Sequence, residues 1–94
     1  MELNKKAISL KDMSDGEYTM IEYELKKSQY GITYIVTCYE NSEPDNIIKF
    51  WSNNYLTKYL QLFEPSKKFM FNVHHEDQRP FITIPGYTPK VILT

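Results

Sequence analysis

The chain has one cysteine, Cys38, three glycines and a single arginine, Arg79, in 94 residues. Each scarcity excludes something. One thiol cannot form an internal disulfide, so a stapled secreted scaffold is excluded and a reducing compartment is expected. Cys38 itself falls in an apolar, β-branched stretch and reads as a small core residue. Three glycines leave no material for a Gly-rich phosphate loop. No apolar run approaches the ~20 residues of a membrane span. Met1 to Leu10 holds none of signal-peptide length. Cytosol or nucleus, and no membrane, is the expectation. Charge is also nearly absent in sum, at −1. That counts against a strongly non-specific, high-affinity polyanion binder, although one face of a neutral domain can still be basic.

Catalytic signatures are missing too. The sequence holds neither a nucleophile elbow nor a metalloprotease helix. Glu76 and Asp77 are adjacent, which does not set two carboxylates across a substrate. His74, His75 and Cys38 are the residues from which a metal site would be built. Zinc needs its ligands converging within about 2.0–2.3 Å. Adjacent histidines on a strand point to opposite faces, so no metal, no cofactor and no enzymatic activity are expected.

What the chain does have is bulk. Hydrophobic residues make up 41% and aromatic residues 15%, enough for one packed core in a domain of this size. Residues 1–16 are polar and irregular and read as an N-terminal arm, with Ile8, Leu10 and Met13 as anchors and a turn at Asp15-Gly16. From Glu17 to Lys27, Thr19, Ile21, Tyr23 and Leu25 alternate with Met20, Glu22, Glu24 and Lys26, a strand pattern. Ser28-Gln29-Tyr30-Gly31 supplies a hairpin turn. Ile32–Glu40 is a second strand, residues 41–46 a loop, and Ile47–Ser52 a third strand.

A helix is predicted over Asn54–Phe63, capped by Ser52 or Asn53. Its apolar stripe is Tyr55, Tyr59, Leu62 and Phe63, with Leu56 and Leu60 beside it. Glu64-Pro65-Ser66 ends it. A fourth strand over Phe69–His75, a charged loop from His75 to Pro80 and a fifth strand over Phe81–Ile84 follow, stopped by Pro85-Gly86. Residues 17–87 thus form the body, and residues 88–94 an apolar tail ending in Val91, Ile92 and Leu93. That tail is expected to pack on its own body or to make a homo-oligomer by joining a neighbouring copy.

The order β-β-β-α-β-β is that of a mostly β, five-stranded Greek-key barrel with one helix between strands three and four. With the segments KKSQYGITYIV (residues 26–36) and IIKFWSNNYL (residues 47–56), the chain resembles the OB-fold single-strand-binding domains, including those of replication protein A and of small viral and phage proteins. The resemblance implies a non-catalytic module for single-stranded nucleic acid, DNA in preference to RNA. The alternative is a protein-binding or self-assembling barrel of the same shape.

Such barrels bind across strands two and three and the two hairpin loops beside them. If Ile48 and Phe50 point inward, Lys49 and Trp51 point outward. Trp51 then offers a ring for base stacking and Lys49 a phosphate contact. The first hairpin adds Lys26, Lys27 and Tyr30. The second adds Arg79, whose planar guanidinium suits a phosphate. Glu22 and Glu24 oppose this reading if they share the face, because carboxylates repel phosphates.

Overall fold

A computed structural model of the chain describes residues 6–88. Its elements are a single 3-10 turn at Leu10–Asp12, then β1 (Gly16–Ser28), β2 (Gly31–Glu40) and β3 (Glu43–Trp51). The helix α1 (Asn54–Phe63), β4 (Phe69–Glu76) and β5 (Arg79–Thr83) follow. The order read from the sequence is the observed one. All strand pairs are antiparallel, and the sheet runs β3-β2-β1-β4-β5, curled strongly into a half-barrel. Among the described residues no ladder joins β3 to β5, so the expected closure is not made by strand pairing.

The seam is occupied instead by the N-terminal arm. Ile8 forms a parallel bridge with Phe50. Its N–H donates to Lys49 O at 2.8 Å, and its own carbonyl accepts from the Trp51 N–H at 3.1 Å. The 3-10 turn after it lies against β5. Leu10 and Met13 enter the core. An edge strand with free N–H and C=O groups is a liability, and the arm covers part of that of β3.

Strand pairing keeps the expected first hairpin turn and corrects two loops. The first hairpin has a two-residue loop, Gln29-Tyr30, with Ser28 opposite Gly31. Gly31 takes φ +124°, a conformation side chains resist. The loop after β2 is shorter than expected. Glu43 is already in β3, opposite Glu40, and Pro44 is tolerated there because β3 is an outer strand. The charged loop after β4 is only Asp77-Gln78, both at positive φ (51° and 66°). That is the backbone of a tight hairpin turn, and it puts Arg79 and Pro80 inside β5.

The helix begins as its sequence implies. The Asn53 side chain accepts from the Leu56 N–H at 2.9 Å, satisfying one of the free donors of the first turn. It ends with Glu64 in the left-handed region, whose N–H reaches Leu60 O at 3.0 Å; Pro65 then forbids another turn. Leu56, Thr57 and Leu60 are its buried residues. The stripe expected from periodicity is thus corrected: Leu62 and Phe63 are largely exposed. No helix among the described residues is long and apolar enough to cross a membrane.

The core is built from alternate residues of every strand. Tyr18 stacks on Phe71 with ring centroids 5.6 Å apart, and Phe71 meets Phe50 at 5.7 Å. Val36, Cys38, Leu56 and Leu60 fill the space between, fully buried. Burial pushes the Cys38 thiol up to about 12, so it stays protonated and acts as packing.

Candidate functional site

β1 carries the irregularity that shapes the outer face of the sheet. Its pairing with β2 shifts between Met20, opposite Cys38, and Glu22, opposite Thr37. Ile21 is the extra residue of a bulge. Before it Tyr18 and Met20 face the core; after it Tyr23 does, edge-on to the buried Tyr34 at 5.6 Å. The simple alternation that groups Thr19 with Tyr23 does not survive the bulge. Its consequence is that Glu22 and Glu24 project to the outer side, where Thr37 and Ile35 lie.

Cross-strand register then assembles two rows. Glu22, Thr37 and Lys49 form one across β1, β2 and β3; Glu24, Ile35 and Trp51 form the next. Glu22, Glu24, Ile35, Thr37 and Lys49 line a shallow groove of about 370 Å³. Trp51 borders it and is 42% exposed. Lys26 continues the face opposite Thr33 and pairs with Glu24 at 3.4 Å. This surface is mixed in charge, with two carboxylates beside two ammonium groups.

Trp51 stands at the end of an edge strand, yet the backbone at Trp51-Ser52 is tied to three other segments. Ile8 binds its N–H. The next residue, Ser52, donates its N–H to Tyr34 O at 2.9 Å. The Ser52 hydroxyl accepts from the Tyr34 N–H at 3.0 Å and meets the Thr57 hydroxyl at 2.6 Å. Thr33 adds a bond to the Ser52 carbonyl at 3.2 Å. A strand end, a neighbouring strand and the first turn of α1 are thus tied at one residue. Half-buried hydroxyls satisfied in this way help to rigidify the backbone they join.

The remaining candidates are spread out. Tyr30 is 90% exposed at the hairpin tip. Lys27 lies opposite Ile32 and, by alternation, on the other side of the hairpin from Lys26. Beyond Tyr23 that hairpin is exposed throughout on β1. Arg79 is not brought to Lys49 and Trp51. It sits on β5, at the other end of the strand order, opposite Glu76. With Asp77, Pro80 and Phe81 it lines a separate depression of about 490 Å³.

The histidines and the cysteine face different surroundings. Cys38 is in the core. His74 stacks on Phe81 with centroids 4.9 Å apart and planes 19° apart, and its Nε2 lies 2.9 Å from the Thr83 hydroxyl. His75 turns toward Asp15 and the Lys11 carbonyl. Among the described residues no three His, Cys, Asp or Glu side chains are grouped as metal ligands.

Residues that sequence reasoning passed over are now visible beside Lys49 and Trp51. Ile35 and Thr37 form the floor between the candidate cation and the indole. Alternation in Tyr34, Val36 and Cys38 carried that signal, since their neighbours must face out.

No known protein family matches the chain, and neither does any curated protein or solved structure. The functional reading therefore rests on the outer face itself.

Proposed function

We propose that this chain is a non-catalytic module that binds single-stranded nucleic acid, DNA in preference to RNA, on the outer face of β2 and β3. One observation carries the proposal. Trp51 is 42% exposed, its N–H is held by Ile8 and the residue after it, Ser52, is tied to Tyr34 and Thr57, two positions along β3 from Lys49. An open indole on an anchored strand end, on the same face as an ammonium group, is what stacking on an unpaired base with a phosphate contact requires.

The strand order supports an OB-type barrel as the finer fold. A barrel of that type is often partly open, and it binds oligonucleotides on the face of its second and third strands. Here the opening lies between β3 and β5, with the arm of residues 6–13 laid along it. Lys26 and Tyr30 extend the surface along the first hairpin. Lys27 and Arg79 belong to it less directly, one by facing the other side of the hairpin and one by lining a separate depression.

Glu22 and Glu24 limit affinity. Phosphates approaching Lys49 also approach these carboxylates, so binding is weak to moderate and depends on stacking as much as on charge. The same mixed charge favours a second reading, a protein partner on this face, for which exposed Trp and Tyr are equally suited. Salt separates the two. Titration of Trp51 fluorescence with short DNA and RNA oligomers at two salt concentrations tests the proposal. Saturable quenching that weakens with salt is expected, with duplex binding worse than single strand. A flat titration at low salt, with no gel retardation of either oligomer, rejects nucleic acid and leaves the protein partner.

A further inference from the structure

The C-terminal half of α1 leaves an apolar surface open. Leu62 is 68% exposed and Phe63 53% exposed. Together with Lys58, Gln61, Tyr87 and Thr88 they line a groove of about 840 Å³. Its wall is firmly built. The Tyr87 ring meets Tyr55, Tyr59 and Phe63 with centroids 5.2, 5.1 and 5.7 Å apart. The Tyr55 hydroxyl donates to Tyr87 O and accepts from the Ile84 N–H, both at 3.0 Å. The chain is therefore held against α1 as far as Tyr87, and Thr88 lies on the rim of the groove.

The residues that follow are Pro89-Lys90-Val91-Ile92-Leu93-Thr94, with three consecutive aliphatic side chains. We infer that the groove beside Leu62 and Phe63 is the docking site of this segment of the same chain. Two physical arguments support it, neither of which depends on the ligand of the sheet face. The first is reach. Three to five residues beyond Thr88 span at most about 10–17 Å when extended, and Thr88 already lies on the rim of the groove, so Val91, Ile92 and Leu93 are within reach of Leu62 and Phe63. The second is tethering. A segment attached at the rim of its own groove has an effective concentration in roughly the millimolar range. A second copy at micromolar concentration does not compete with that, and both surfaces lose water when they meet.

The full chain is examined by NMR as a mixture of isotopically labelled and unlabelled molecules. Contacts from the Val91, Ile92 or Leu93 methyls to the Phe63 ring or the Leu62 methyls are expected within labelled molecules. They are expected to be absent between labelled and unlabelled ones. A chain ending at Thr88 should melt on the order of 4–8 °C lower and bind more of an apolar-surface dye, with the mass of a monomer before and after. Contacts between molecules, or a dimer lost on truncation, would overturn the inference in favour of a second copy. A full-length monomer whose aliphatic tail makes no contact with Leu62 or Phe63 overturns it as well.

Discussion

His75 on β4 binds the Asp15 carboxylate through Nδ1, and its Nε2 lies 3.3 Å from the Lys11 carbonyl oxygen. Both ring nitrogens therefore face acceptors, and an imidazole can donate from both only when it is protonated. The two acceptors belong to the arm that lies along the seam between β3 and β5, so one side chain fastens that arm to the sheet.

Stability should follow from this pairing with a definite sign. The hydrogen bond to Asp15 raises His75 above its ordinary 6.5, and the same bond lowers Asp15 below its ordinary 3.8. The histidine contribution is complete below 6.5 and is lost as pH rises through the raised value. The aspartate contribution is complete above 3.8 and is lost as pH falls through the lowered value. The urea midpoint of the parent minus that of Asp15→Asn should therefore be largest between these limits and shrink toward alkaline pH. A difference that stays flat from about pH 5 to about pH 9 would show that the pair does not fasten the arm.

Lys49 and Trp51 should separate by their salt response. Trp51→Ala should weaken oligonucleotide binding by about 1–3 kcal/mol, the worth of one stacked base, with the salt slope nearly unchanged. Lys49→Ala should reduce the slope by about 1, because one phosphate contact and its released counterion are lost. Equal slopes for Lys49→Ala and the parent would remove Lys49 from the interface.

Glu22 and Glu24 provide a test with the opposite sign. Replacing either by Gln leaves the strand intact and removes a negative charge from the face that carries Lys49. Oligonucleotide affinity should rise at low salt by about 1 kcal/mol or less per substitution, and the gain should fade near 1 M salt, where screening reaches within about 3 Å. If both variants bind as the parent does at low salt, the ligand does not cross this part of the sheet.

Leu60 is fully buried and packs where α1 meets the sheet. Leu60→Ala should cost about 2–5 kcal/mol by opening a cavity. Asn53→Ala should cost about 1 kcal/mol through loss of its bond to the Leu56 N–H. Denaturant unfolding checks both, and a Leu60 variant as stable as the parent would contradict the packing of the helix.

Much of this architecture is local in origin and was readable in the sequence alone. Alternation marks the strands, Asn53 starts the helix, Pro65 stops it, and Gly31 closes the first hairpin. All are decided by the conformational preferences of a few neighbouring residues. The outward pair Lys49 and Trp51 followed from period-two alternation in an uninterrupted segment. Tertiary structure decided the rest. The bulge at Ile21 exists only in the pairing of β1 with β2, and it alone sends Glu22 and Glu24 to the face of Lys49. Whether Ile8 borders β3, and whether His75 meets Asp15, depends on contacts between segments more than forty residues apart. Arg79 lines a depression with Glu76, Asp77 and Phe81 and not the groove of Lys49, a grouping set by the pairing of β4 with β5. Leu62 and Phe63 continue the apolar series of Tyr55 and Tyr59 yet are largely exposed, because periodicity defines a stripe on a helix while the neighbouring strands determine how much of it is covered.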